Sequence, residues 1–198
     1  MKEDQKRWDM KYLERKPDLN QGPNTILKKY LRILPKGRAL DLAAGEGRNA
    51  LFLAENGFEA EAVDVSPVAI TRVRKSAKVR GVKVKAVVAD LDTYRIPPGH
   101  YDVILNFYFL DRHLIPRIKK GLKKGGMVVF ETYTAEQKKL GTGGPGQDKY
   151  VLKPNELLRL FRGFHVLFYR EGVFREGDKR RAIASLIARP PVSSFSVH

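Results

Sequence analysis

Residues 39–53 have the composition of a site for a ligand that joins a nucleoside to a charged group. The stretch begins as a short apolar run ending in Asp41, continues through Gly45 and Gly47, and then becomes an apolar helical pattern. A strand that breaks at glycines and opens a helix lets a ligand approach bare backbone, and the helix N-terminus supplies free N–H groups. We therefore expect this turn to belong to a binding site.

Two kinds of ligand fit the glycine turn. The segment from Gly45 to Ala50 matches the G-x-G-x-x-[GA] pattern of dinucleotide-binding proteins, in which a pyrophosphate lies on the helix N-terminus. The carboxylate of Asp41, four residues before the first glycine, instead suits a ligand with an ammonium group. Asp64 ends the next apolar stretch, where a bidentate acceptor binds the ribose hydroxyls. Its alternative role is to cap the following helix, which Ser66 fills more naturally.

A third carboxylate, Asp90, follows the apolar run 84–89, so three successive predicted strands each end in aspartate. This order resembles that of the class I S-adenosylmethionine-dependent methyltransferases. Four segments are similar to the tellurite-resistance-type branch of that superfamily. They read DLAAGEGRNALFLAENGFEAEAVDVSPVAI, YDVILNFYFLDR, LKKGGMVVFET and ELLRLF, and the likeness spans roughly residues 37 to 189.

The resemblance implies a Rossmann-like, doubly wound α/β fold, with a mostly parallel seven-stranded sheet and a C-terminal antiparallel hairpin. It also implies S-adenosyl-L-methionine as the cofactor. In open α/β sheets, ligands lie beyond the carboxyl ends of the parallel strands, and that rule selects the expected cofactor-binding residues. They are Asp41, Ala43, Gly45, Gly47, Arg48, Asn49, Asp64, Val65, Asp90, Leu91 and Asn106.

Besides Asp41 and Asp64, four of these residues have a specific expected role. Asp90 accepts from the adenine amino group and Leu91 donates its backbone N–H to the ring, unless Asp90 only caps a helix. Asn106 meets the methionine ammonium. Arg48 meets the methionine carboxylate, although it fits equally well as a surface arginine.

The methyl acceptor is expected to need alignment more than side-chain chemistry, because holding nucleophile, methyl and sulfur in line supplies much of the rate. A general base is needed only where the nucleophile must lose a proton. Candidates for that base are Tyr108, His113 and Tyr133, each of which also fits the wall of the site. Arg112 and Arg175 lie near the expected mouth, where they would recruit an anionic acceptor.

The chain is strongly basic, with 38 Lys and Arg against 22 Asp and Glu in 198 residues, a net charge of +16. Such a charge predicts either attraction to nucleic acid or a solvated basic surface. Local structure explains much of the basic run, so nucleic acid is an open but not a favoured partner. The positions expected to face water are Arg72, Arg74, Lys75 and Lys78 on a helix, and Lys83 and Lys85 on an edge strand.

Other classes of site are not indicated. There is no cysteine, and the four histidines have no ligand spacing, so we expect no metal site. No apolar run approaches the ~20 residues of a membrane span, and the N-terminal residues lack the apolar core of a secretory signal. A cytoplasmic protein without a membrane partner is expected.

Three regions are predicted along the chain. Residues 1–36 form a helical lead-in, in which Trp8 and Tyr12 share one helix face and either fold over the cofactor as a lid or pack in the core. Residues 37–189 form a single methyltransferase domain, and 190–198 form a loose tail. The predicted strands are 38–42, 59–64, 83–89, 101–107, 126–132, 164–170 and 181–188.

Several connections are also predicted. Ser66 is an N-cap with Pro67 at the first helical position, and residues 121–126 form a helix C-cap before the fifth strand. The long stretch 134–154 is expected to act as a flap over the substrate side through its glycines at 141–146. A helix follows at 155–162 with Asn155 as its N-cap. A charged turn at 172–180 joins the last two strands.

The leading hypothesis is a methyltransferase that uses S-adenosylmethionine and a small-molecule acceptor, with an oxyanion or metalloid among the candidates. The same chemistry on RNA or a ribosome-associated protein is the second hypothesis, and it depends on the charge. A NAD(P)-dependent oxidoreductase is the third, although Asp41 and the terminal hairpin oppose it. A non-enzymatic cofactor sensor with this fold remains open, because no catalytic side chain is mandatory.

Overall fold

The computed structural model describes residues 2–16, 22–176 and 179–191. The seven strands are β1 (Arg38–Leu42), β2 (Glu59–Asp64), β3 (Val84–Val88), β4 (Tyr101–Phe107), β5 (Leu122–Tyr133), β6 (His165–Glu176) and β7 (Lys179–Arg189). The helices are α1 (Lys2–Leu13), α2 (Thr25–Tyr30), α3 (Arg48–Glu55), α4 (Pro67–Val79), α5 (Ile115–Gly121), α6 (Gln137–Leu140) and α7 (Glu156–Leu160). Short 3-10 turns lie at Leu31–Ile33, Arg112–Leu114 and Asp148–Tyr150. Of the predicted tail, only Pro190 and Pro191 fall within the described residues.

The strands form one sheet in the order β3-β2-β1-β4-β5-β7-β6. The first five strands are parallel, and β7 pairs antiparallel with both β5 and β6. The predicted fold is therefore confirmed, including the reversed hairpin at the end. None of the helices in the described part of the chain is long and apolar enough to cross a membrane.

The two faces of the sheet bury separate apolar clusters, because successive side chains of a strand point to opposite faces. On one face Leu40 and Leu42 of β1 pack with Ile118 of α5. On the other face Ala39 and Leu105 pack with helices α2, α3 and α4. The predicted lead-in is helical in α1 and α2.

The last two strands are longer than predicted. The predicted charged turn at 172–180 is mostly paired strand, since the register continues through Val173↔Ala182, Phe174↔Arg181 and Arg175↔Arg180. Charged residues are common at an exposed strand edge, so their presence did not mark a turn here. The structure describes nothing of residues 177 and 178.

Two helix ends also differ from the predictions. Strand β5 begins at Leu122, directly after α5, because Leu122 already pairs with Tyr101 of β4. Asn155 does not cap α7 through its side chain: its φ is +57° and its backbone N–H donates to the carboxylate of Glu171. Helix α7 is held at that end by a strand, which the local sequence does not indicate.

Helix α4 follows the predicted pattern with one exception. The Ser66 hydroxyl accepts from the backbone N–H of Ala69, which confirms the N-cap, and Ile70, Val73 and Ala77 are buried. Lys83 and Lys85 are exposed at the sheet edge, as predicted. Arg72 does not face water, since only 16% of its side chain is exposed.

The glycine turn between β1 and α3 brings the chain close to helix α4. Gly45 and Gly47 both have a positive φ, of 56° and 78°, which glycine adopts without strain. A Cβ at Gly47 would lie 2.7 Å from a methyl carbon of Val73. This glycine therefore allows α4 to pack against the turn.

Replacing Gly47 with Ala should lower the free energy of unfolding by about 2–5 kcal/mol, from backbone strain of about 1–2 and overpacking of about 1–3 kcal/mol. Gly57 is a matched control, because its φ is +80° and nothing lies within 4 Å of a Cβ there. Gly57→Ala should show the backbone strain alone. Urea unfolding of both variants measures the difference, and equal losses would show that Gly47 has no packing role.

Candidate cofactor-binding site

A cavity of about 680 Å³ lies at the carboxyl ends of the parallel strands, under helix α1. It brings together most of the residues that the sequence singles out, although they come from distant parts of the chain. The predicted residues in its wall are Trp8, Tyr12, Asp41, Ala43, Gly45, Arg48, Asn49, Asp64, Val65, Asp90, Leu91, Tyr108, Arg112 and His113.

The Asp64 carboxylate, at the end of β2, holds the glycine turn in place. One of its oxygens accepts from the backbone N–H of Gly45 at 2.8 Å, and the other from Ser66 at 2.9 Å. Burial raises the pKa of Asp64, while these backbone N–H groups lower it. The carboxylate therefore has a structural role in addition to the ligand role expected from the sequence. Each oxygen has a second lone pair, so both can still accept from a ligand hydroxyl.

Asp41, at the end of β1, is the most deeply buried carboxylate of the cavity wall, with 2% of its surface exposed. It accepts from the backbone N–H of Ala50 at 3.2 Å. Burial raises its pKa to about 7, although Ala50 and the Arg48 guanidinium act in the opposite direction. The group is thus poised to ionise when a cation binds next to it.

Helix α1 forms one side of the cavity. The Trp8 and Tyr12 rings are stacked with their centroids 6.0 Å apart. A Cβ at Gly45 would lie 2.8 Å from the Tyr12 hydroxyl, so the tyrosine fits against bare backbone. Burial raises the pKa of Tyr12, and the Asp64 carboxylate adds to this effect. Both aromatic residues belong to the wall rather than to the interior of the core.

Two further predicted residues of the wall already have internal partners. The Asn49 side-chain oxygen accepts from the backbone N–H of Asn24 at 2.8 Å. Asp90 accepts from the backbone N–H of Asp92 at 2.9 Å, which fixes a tight turn after β3. A turn and no helix follows β3, so Asp90 is not the helix cap of the alternative interpretation, and its side chain lines the cavity.

Gly47 and Asn106, both predicted as cofactor-binding, lie outside the cavity wall. Gly47 is in contact with Val73, as described above. Asn106 is 1% exposed, and its side-chain amide donates to the backbone carbonyl of Phe109 at 2.6 Å. It shapes the loop after β4, whose first residue, Tyr108, has a φ of +57°.

Tyr108 connects the cavity with a buried carboxylate that sequence reasoning did not assign. Its hydroxyl donates to Glu131 at 3.0 Å, and the Asn24 amide donates to the same oxygen at 2.7 Å. Ser185 and Arg170 donate to the other oxygen at 2.6 and 3.3 Å. Glu131 is completely buried at the carboxyl end of β5. The only feature of the sequence that could have indicated this carboxylate is its position near the end of a predicted strand. Its four partners come from three distant segments of the chain.

The predicted role of Arg112 in recruiting an acceptor does not fit its contacts. Its guanidinium pairs with both oxygens of Glu156, at 2.7 and 3.0 Å. It also donates to the backbone carbonyls of Lys149 and Val151. The Glu156 carboxylate raises the pKa of Arg112 further. Arg112 therefore fastens the segment 149–151 to the cavity, and the neighbouring His113 remains an exposed part of the wall.

Two other predicted residues, Tyr133 and Arg175, do not line the cavity. The Tyr133 ring packs on that of Tyr108, with centroids 5.1 Å apart, so it supports the wall from behind.

The predicted glycine flap at 141–146 does not line the cavity either, whereas Lys149 and Tyr150 of the same connection do. Gln137 donates to Thr142 and to the Gly143 carbonyl, which anchors the glycines to α6.

The cavity has a different charge from the rest of the chain. Seven of the 22 acidic residues line it, against five Lys and Arg. The acidic ones are Asp4, Asp41, Glu46, Asp64, Asp90, Asp92 and Asp111. Within the described ranges, no group of three or more His, Asp or Glu side chains is arranged to hold a metal ion.

The strand order, the reversed hairpin and a cavity lined by the ends of β1, β2 and β4 are those of the class I methyltransferase fold. Residues 8–181 match the protein family described as "Tellurite resistance protein TehB". The chain belongs to the TehB family.

Known relatives and structures agree with this membership. The probable S-adenosyl-L-methionine-dependent methyltransferase TehB of Haemophilus influenzae is 24% identical over 149 residues, which cover 72% of this chain and 51% of that protein. The chain thus spans about half the length of this relative. The crystal structure of TehB from the same organism superposes with a TM-score of 0.72 at 20% identity, covering 85% of this chain and 62% of that one.

An S-adenosylmethionine-dependent methyltransferase of Clostridium acetobutylicum has a TM-score of 0.66 at 15% identity. The superposition covers 83% of this chain and 89% of that one. At this level of identity the likeness concerns the fold, and the chemistry has to be argued from the site.

The raised pKa of Asp41 predicts a pH-dependent stability. The folded pKa of about 7 exceeds the ordinary value of 3.8. The folded protein therefore holds a proton that the unfolded chain releases. This contribution to stability is complete below about pH 4 and is lost as the pH rises through 7, by at most about 1.4 kcal/mol per pH unit.

Asp41→Asn is neutral at every pH and lacks this dependence. Between about pH 5 and 8, the free energy of unfolding of the unaltered protein should fall relative to that of the variant. Urea titrations at several pH values measure the two curves. Parallel curves would mean that the carboxylate is ionised in the folded protein throughout this range.

Proposed function

We propose that the protein transfers a methyl group from S-adenosylmethionine to a small-molecule acceptor bound in the outer part of the cavity. The observation that carries the proposal is the convergence of Asp41, Asp64 and Asp90, at or just beyond three adjacent strand ends, around the bare backbone of Gly45. This arrangement offers carboxylates for an ammonium, a ribose and an adenine amino group at once.

The expected cofactor contacts follow from that arrangement. Asp64 accepts from the ribose hydroxyls with its remaining lone pairs, and its backbone partners hold it in the orientation required. Asp41 is expected to lie near the methionine ammonium, and half-buried Arg48 near the methionine carboxylate. Asp90 accepts from the adenine amino group, with Leu91 at the ring edge. Val65 and Ala43 complete the wall.

The cofactor supplies an electrophilic methyl group on a sulfonium, whose departure leaves a neutral thioether. The chain itself has to exclude water and align the acceptor with that methyl group. Helix α1 covers one side, and the loop after β4 supplies Tyr108 and Phe109 on the other. Since the Tyr108 hydroxyl donates to Glu131, this ring is held rigidly as wall.

His113 is the candidate base that the geometry supports best, for acceptors that must lose a proton. It is an exposed part of the cavity wall, whereas the Tyr108 hydroxyl is engaged by Glu131 and Tyr133 lies behind Tyr108. Acceptors that attack through a lone pair need no base at all.

An anionic acceptor, including the oxyanion of a metalloid, is consistent with the name of the family and with the cations at the cavity mouth. With Arg112 engaged by Glu156, the remaining cations of the wall are Arg7, Arg15, Arg48 and Lys149. We place the reaction in the cytoplasm, with which the absence of cysteine is compatible.

Calorimetry should show binding of S-adenosylmethionine or S-adenosylhomocysteine and no binding of NAD or NADP. Asp64→Ala should weaken that binding by about 1–3 kcal/mol, the scale of hydrogen bonds to a charged acceptor. It should also lower the stability of the free protein, because Gly45 and Ser66 lose their partner. Glu59→Ala, at the exposed start of the same strand, is the control and should leave affinity unchanged.

Binding of NAD at micromolar concentration without any response to the sulfonium ligand would reverse the assignment in favour of an oxidoreductase. Unchanged affinity in Asp64→Ala, together with a loss of stability, would reduce this residue to a structural role. Binding without turnover on any acceptor would favour a cofactor sensor.

Methyl transfer is tested with tellurite as the acceptor probe. The expected products are S-adenosylhomocysteine and a methylated tellurium species detected by mass. RNA is the competing acceptor, because the chain has a net charge of +16 and exposed Arg74, Lys75 and Lys78 on α4. None of these three residues lines the cavity. RNA binding should therefore be weak and should disappear near physiological salt.

Charge reversal at the three α4 positions separates the two acceptors. It should leave transfer to a small acceptor unchanged. A methylated RNA product that requires these residues would favour the RNA substrate instead.

A further inference from the structure

Helix α1 forms a wall of the cavity although apolar burial does not hold it there. No residue from Glu3 to Leu13 is fully buried: Trp8 and Tyr12 are only partly covered, and the aliphatic side chains of Met10 and Leu13 are 57% and 67% exposed. The helix is also rich in charge. Because burial of apolar surface is the main force that docks a helix and α1 buries little of it, α1 depends on additional contacts to stay docked.

Those contacts come from helix α4. One nitrogen of the Arg72 guanidinium pairs with the Glu46 carboxylate in the glycine turn, and another donates at 3.1 Å to the backbone carbonyl of Arg15, two residues after the end of α1. Nearer the α4 N-terminus, the Ser66 hydroxyl donates to Asp9 of α1. Glu46 and Arg15 both line the cavity, so Arg72 joins two of its walls.

The environment of Arg72 makes this link stronger than a surface ion pair. The side chains of Arg72 and Glu46 are only 16% and 21% exposed, so solvent screens the pair less than usual. A planar guanidinium can reach two acceptors from one fixed position, which an ammonium group does less well. The neighbouring Arg74 differs, since it is exposed and donates to the Ala86 carbonyl of β3.

We propose that Arg72 is a positioning residue that latches α1 onto the glycine turn and thereby limits the release of the bound cofactor. The inference rests on the proposed function in taking S-adenosylmethionine as the occupant of the cavity. Tyr12 lies against Gly45 only while α1 is docked, so opening the Arg72 contacts removes one wall of the site. Release should then depend on ionic strength, because the latch includes an ion pair.

The single tryptophan of the chain, Trp8, lies on α1 and reports the latch without any ligand. Arg72→Gln and Glu46→Gln should each increase acrylamide quenching of Trp8 fluorescence. Arg74→Gln is the matched control and should behave like the unaltered protein. Added NaCl should increase quenching in the unaltered protein and have little effect in Arg72→Gln.

Release of S-adenosylmethionine, measured by stopped-flow displacement, should be faster in both latch variants by about tenfold, the scale of losing a charge-assisted contact. Thermal unfolding identifies a variant that fails to fold, in which case the other latch variant and the salt titration decide. Quenching and release rates equal to those of Arg74→Gln would overturn the latch. If the unaltered protein binds no S-adenosylmethionine, the proposed function fails, and the ligand-free quenching still tests the latch.

Discussion

The site depends on one buried carboxylate that uses both of its oxygens to hold backbone. Asp64 accepts from Gly45 in the glycine turn and from Ser66 at the start of α4, so the end of β2 fixes two neighbouring loops. A carboxylate held by two N–H groups has few rotamers left, and its remaining lone pairs point in fixed directions. The residue that organises the two loops is therefore also the one that we propose binds the ribose.

A second buried carboxylate does comparable work on the side of the cavity formed by the loop after β4. Glu131 joins the lead-in through Asn24, the loop after β4 through Tyr108, and the terminal hairpin through Ser185 and Arg170. Burial of a charge is unfavourable unless several hydrogen bonds compensate it, and here four donors do so. Since Asn24 also donates to Asn49 of the cavity wall, the two sides of the site share one connected polar network.

The fold and the location of the site could be predicted from the sequence, because both follow from local patterns. Alternating apolar runs and helical stripes indicate the strands and the helices between them, the family resemblance implies the seven-stranded sheet, and the ends of parallel strands select Asp41, Asp64 and Asp90. The roles of individual side chains could not be predicted, because their partners are remote in sequence. Arg112 was expected at a substrate mouth, but Glu156, 44 residues away, engages it. Gly47 was expected at the ligand, but its lack of a side chain is instead what allows Val73 to pack against the turn.

The division of charge between surface and cavity shows why overall charge is a weak guide to the ligand. The chain carries sixteen excess positive charges, yet acidic residues outnumber Lys and Arg in the cavity wall by seven to five. Surface charges are screened over about 8 Å at physiological salt, whereas buried groups such as Asp41 interact through a medium of lower polarity. A ligand inside the cavity therefore experiences mainly the carboxylates at the strand ends. The basic surface acts on what approaches the protein, whereas the charges of the cavity wall act on what enters it.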